Sequence, residues 1–157
     1  MRAVRMGWIA LALVGCSRPA DKPAETADGE VTATADAEPA AISLGDFAGT
    51  WSVRSTLRDD PSKSVTYDLT ATSDSAGWSI RFPGGDPIPL RVVAVEGDSV
   101  VTEAGPFASQ LRKGLQAHSR VVTRLQGEKV VGTVDVRYEV SGPDSVALLD
   151  LEGTRKQ

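Results

Sequence analysis

The sequence predicts an all-β fold: a single antiparallel up-and-down meander of about eight strands, closed as a small barrel. Three observations predict it. From about residue 46 onward, apolar and polar side chains alternate with a period of two, which gives each strand one buried face. Short runs of Gly, Asp, Ser and Pro punctuate the alternating segments, and short loops force antiparallel neighbours. An open meander would expose two long edges, and closure removes them.

The elements follow in order. A first strand at 49–58 places Gly49, Trp51, Val53, Ser55 and Leu57 on one parity. A second at 64–72 sets Val65, Tyr67, Leu69 and Ala71 against Thr66, Asp68 and Thr70. Asp74-Ser75-Ala76-Gly77 turns the chain into a third, 77–82, with Trp78, Ile80 and Phe82 inward. Pro83-Gly84-Gly85-Asp86 leads to a fourth at 87–95, with Ile88, Leu90, Val92 and Ala94 inward. The fifth, 98–110, carries Gly105-Pro106, which should bend it or place it at an edge. The sixth, 115–126, directs Leu115, Ala117, Val121, Thr123 and Leu125 inward. The seventh, 129–140, does so with Val134, Val136, Tyr138 and Val140, and the eighth spans 145–155.

Upstream of the barrel the texture differs. Arg2 and Arg5 precede Met6–Gly15, an unbroken apolar and small-residue run. Its ten residues would rise only about 15 Å as a helix, half the hydrocarbon thickness of a bilayer. The run ends in Leu13-Val14-Gly15-Cys16, which resembles the lipobox of bacterial lipoproteins. That resemblance implies a signal peptide over 1–15, cleavage before Cys16, and lipid on the Cys16 thiol. Ser17 in the next position implies sorting to the outer membrane, facing the periplasm or the exterior. Residues 16–45 then form an acidic, Ala/Pro-rich segment without aromatics, expected to be a disordered tether. Residues 46–157 are the barrel domain.

Composition limits the function classes. The chain carries 17 Lys+Arg against 21 Asp+Glu, a net charge of −4, which argues against a nucleic-acid partner. One cysteine forms no internal disulfide, and one histidine builds no His-rich metal site. His118 shares the polar parity of Arg120 and Arg124, and no nucleophile motif accompanies it. No catalytic residue, metal or other cofactor is therefore expected, and the chain is read as a non-enzyme.

Phe47-Ala48-Gly49-Thr50-Trp51 resembles the Gly-x-Trp signature that opens the barrel in lipocalins and their calycin relatives. Those families also carry a basic residue near the end of the last strand, packed over that tryptophan, and Arg155 occupies the matching place. The resemblance implies the barrel fold, with Trp51 buried and Arg155 across its ring; an eight-stranded barrel has an interior that side chains fill or that holds one small ligand. Within the Val-, Leu- and Ile-rich inward set, Tyr67, Thr123 and Tyr138 are the polar candidates. They sit either inside an apolar cavity as handles for a ligand, or at the rim with their hydroxyls in water. Two functions follow: a membrane-anchored envelope lipoprotein that binds a small apolar ligand, or a filled barrel serving as a structural or protein-interaction module. In the second, Val93, Val95 and Val122 are partner contacts or ordinary surface residues. The expected partners are the membrane, through Cys16, with a small apolar ligand or an envelope protein.

Overall fold

A computed structural model describes residues 42–157. The expected signal peptide, Cys16, Ser17 and the expected tether as far as residue 41 lie outside the described residues. Nine antiparallel strands form one sheet: β1 (Gly49–Leu57), β2 (Ser64–Ala71), β3 (Ser79–Arg81), β4 (Ile88–Pro89), β5 (Arg91–Glu96), β6 (Ser99–Ala108), β7 (Gln116–Gln126), β8 (Lys129–Tyr138) and β9 (Val146–Arg155). The hydrogen-bonded order is β4-β3-β2-β1-β9-β8-β7-β6-β5. The first and last strands are neighbours, with Trp51 opposite Arg155 and Leu57 opposite Leu149. The result is a nearly closed up-and-down barrel.

The ninth strand arises because the expected fourth strand divides at Leu90. Ile88 and Pro89 pair with β3, whereas Arg91–Glu96 pair with β6. The chain thus changes partners in mid-course, and Leu90 donates its N–H to the Trp78 carbonyl at the crossing (2.8 Å). The two edges of the sheet are joined by the polypeptide itself. A bulge at Val93 follows, where the pairing steps from Val92–Thr102 to Ala94–Val101. Ala94 therefore sits opposite Val101, on the outward parity of β6, and not on the inward parity that alternation assigns it. Gly105-Pro106 forms a second bulge. The four residues Ala104–Phe107 of β6 stand opposite only three of β7, Ala117–Ser119. Beyond Glu103 that strand has β7 as its sole ladder partner, so it is bent and locally an edge.

Fixed structure begins before residue 46. Ser43 and Asp46 form a reciprocal capping box around a short helix, α1 (Leu44–Phe47), with the Ser43 N–H donating to Asp46 Oδ2 at 2.9 Å. The Ile42 N–H donates to the Gly97 carbonyl at 3.2 Å, and Ile42 and Leu44 pack on the core. Residues 42–45, expected to belong to the tether, are thus held against the barrel. Three apolar side chains within six residues, Ile42, Leu44 and Phe47, supply the buried surface that holds the segment down.

α1 plugs one end of the barrel. Phe47 is fully buried, its ring 5.9 Å from that of Trp78, and the Trp51 indole N–H donates to the Phe47 carbonyl at 2.8 Å. Above this plug the core is built from alternate residues of every long strand, as in Val53, Leu69, Val130 and Leu151.

Candidate functional site

The barrel interior is the candidate site. Between the plug and the opposite end lies an internal hollow in which about 70 Å³ is open to the centre of a water molecule. Its wall is apolar, with Leu69, Ile80, Val134, Val136 and Leu149 among the lining residues. The hollow reaches toward the end where Val65, Phe82, Phe107 and Leu111 stand.

Each of these mouth residues has a reason to be there. Phe82 is the last inward residue as β3 runs out, and Phe107 is the inward residue after the Gly105-Pro106 bulge. Their rings lie 6.1 Å apart, and Phe82 also meets Tyr67 edge-on at 5.6 Å. This row of three rings spans the stretch where the upper half of β6 has no ladder partner on that side. Side-chain packing closes the barrel there in place of hydrogen bonds. Leu111 belongs to the turn between β6 and β7, which is fixed by the Ser109 hydroxyl accepting from the Leu111 and Arg112 N–H groups (3.2 and 3.0 Å).

Tyr67, Thr123 and Tyr138 all line the hollow, and all three are buried. Their side chains lie inside the barrel and not at its rim. The Tyr67 hydroxyl exchanges a hydrogen bond with Ser55 Oγ at 3.0 Å. Burial pushes the Tyr67 phenol up to about 12, against the opposing pull of the Ser55 contact. The Tyr138 hydroxyl is buried and has no hydrogen-bond partner among the described residues. Arg112 lies over the Tyr138 ring, 4.6 Å from its centroid, and lines a separate surface hollow with Leu115, Val140 and Asp144. It donates to the Asp144 carbonyl, with the Asp144 carboxylate 3.5 Å away.

Sequence reasoning overlooked several interior hydroxyls. Thr102, Ser119 and Ser55 are buried and line the hollow. Ser119 falls on the same odd parity as Ala117 and Val121, and Ser55 shares that of Trp51 and Val53. Alternation therefore contained the signal for both. Thr102 and Ser119 sit on adjacent strands, Thr102 opposite Val121 and Ser119 opposite Ala104.

At the plugged end Gly49, Trp51 and Arg155 come together. The Arg155 guanidinium lies 4.1 Å from the Trp51 ring centroid and donates to the carbonyls of Ala48 and Asp46. Gly49 makes this possible. Its φ of +133° disfavours any side chain, and a Cβ there would lie 2.6 Å from Arg155 Nη1. His118 points outward from β7, with Nε2 at 3.2 Å from Glu139 Oε1. On the outer face Glu103 bridges Arg120 and Arg91, and the Arg120 hydrogen bond leads in holding its carboxyl below the usual range. Among the described residues no group of His, Cys, Asp and Glu gathers that would hold a metal ion. Neither a protein-family model, nor a curated protein, nor a solved structure matches the chain.

Proposed function

We propose that the chain is an exported lipoprotein of the cell envelope, anchored by lipid on Cys16, whose barrel binds a small apolar molecule. The observation that carries this reading is the apolar interior hollow with a few convergent hydroxyls, the composition expected of a small-molecule site. The lipocalin- and calycin-like signature belongs to the same reading, supported by the packing of Arg155 on Trp51 over Gly49. The anchor rests on the sequence alone. Each buried methylene contributes about 0.8 kcal/mol, so two or three acyl chains on one residue hold a protein durably. Ser17 directs the lipoprotein onward to the outer membrane.

Native mass spectrometry of the protein purified from its bacterial host tests the binding reading. A bound lipid or metabolite above the polypeptide mass is expected. A bare polypeptide, unshifted in melting temperature by small apolar compounds, would overturn it. The filled-barrel reading is favoured by one observation, the modest size of the hollow against ligand pockets of several hundred Å³. It predicts that bare polypeptide, together with an envelope protein held through exposed valines such as Val95 and Val122.

A further inference from the structure

Resting on the binding reading above, we infer that the ligand is an uncharged amphiphile: an apolar body carrying one neutral oxygen, a hydroxyl or a carbonyl, that pairs with the Tyr138 hydroxyl. Two independent features carry this. The first is Tyr138 itself. Its side chain lines the hollow, it is only 5% exposed, and its buried hydroxyl has no partner among the described residues. An unpaired buried donor is costly, so a ligand that accepts from it gains what the folded chain alone leaves unmade. By contrast Tyr67 is already satisfied by Ser55.

The second feature is the charge of the wall. Among the described residues that line the hollow none is ionisable at neutral pH. Its polar groups are the hydroxyls of Ser55, Tyr67, Thr102, Ser109, Ser119, Thr123 and Tyr138 and the amide of Gln110. A carboxylate or phosphate drawn into that space would lose its hydration without meeting a cation, which is strongly unfavourable. The Arg112 guanidinium lies over the Tyr138 ring, but it lines a separate surface hollow and is engaged by Asp144. The many hydroxyls, each able to donate or accept, suit a neutral oxygen and give an anion no counter-charge.

Calorimetric titration of the full-length Cys16→Ser chain with octan-1-ol, 2-octanone, 1-chlorooctane and octanoate at pH 8 tests the inference. The alcohol and the ketone should bind at least tenfold tighter than octanoate. Tyr138→Phe keeps the ring, and should weaken the alcohol and ketone by about fivefold, the size of one neutral hydrogen bond, while sparing 1-chlorooctane. Octanoate binding as tightly as octan-1-ol would overturn the inference, as would an unchanged alcohol affinity in a folded Tyr138→Phe chain; the binding reading would survive either result. Binding of none of the four by the folded wild-type chain would overturn the binding reading itself. Should Tyr138→Phe fail to fold, the wild-type ranking of alcohol over octanoate decides alone.

Discussion

Replacing Trp51 tests whether closure of the barrel is energetically real. The indole is 1% exposed, and its N–H donates to the Phe47 carbonyl at 2.8 Å. Trp51→Ala removes the largest fully buried side chain and should cost about 3–5 kcal/mol, enough to unfold a domain of ordinary stability. Trp51→Leu is the gentler variant, since it keeps apolar bulk while losing the ring face and the donor. Arg155→Ala removes the cation over the ring, worth about 0.5–1 kcal/mol at an exposed site. It also removes the donors to the Ala48 and Asp46 carbonyls, for a total of about 1–2 kcal/mol. The ring–cation component vanishes once either partner is gone. A double-mutant cycle of Trp51→Leu and Arg155→Ala should therefore show coupling of about 0.5–1 kcal/mol. Urea unfolding followed by far-ultraviolet circular dichroism measures it. Coupling within experimental scatter of zero, with Arg155→Ala no costlier than an ordinary surface change, would refute the claim that this contact secures β1 to β9.

Three further outcomes are expected. Tyr67 should make stability fall above pH 10: the unfolded chain releases the phenol proton near 10, whereas the folded chain keeps it to about 12, so stability present at neutral pH is lost as pH rises. The full effect is roughly 3 kcal/mol, and thermal melts between pH 8 and 11.5 should show a shallower decline in Tyr67→Phe than in wild type. Gly132→Ala should destabilise by at least about 1–3 kcal/mol, because a Cβ there would lie 2.0 Å from the Val122 carbonyl oxygen; a melting temperature equal to wild type would show that the strands spread freely. Cys16→Ser, expressed in a bacterial host, should accumulate as an unlipidated precursor, and mass spectrometry of a wild-type chain without acyl mass would remove the proposed anchor.

Much of the barrel was legible in the sequence because a strand with one buried face writes its geometry into alternate positions. Trp51, Val53 and Ser55 show this on β1, and Ala147, Leu149 and Leu151 on β9. Closure was legible through residues at the two ends, Trp51 and Arg155. The division at Leu90 was not. Ile88, Leu90 and Val92 continue one alternation, and side-chain parity carries no record of which neighbour receives the backbone hydrogen bonds. Parity likewise placed Tyr67, Thr123 and Tyr138 on the inner side without giving their depth, which depends on the lengths of the surrounding strands. The size of the hollow was beyond reach for a related reason. A void is what remains after many rotamers interlock, so it follows from the whole packing arrangement and from no single segment.

The adjacency of β1 and β9 also governs how the chain acquires its structure. Arg58 and Asp150, which pair across this boundary, are 92 positions apart in the chain, and Trp51 meets Arg155 at a still greater separation. Bringing such distant segments together carries its loop-closure entropy before any ladder bond rewards it. Folding is thus expected on the millisecond-to-second scale of topologies rich in remote contacts. During synthesis β1 has only β2 for a neighbour until residues 149–155 emerge. Its outer backbone edge stays unpaired throughout that interval. Premature association with other chains is then a hazard of the unfinished domain, which the completed barrel has left behind.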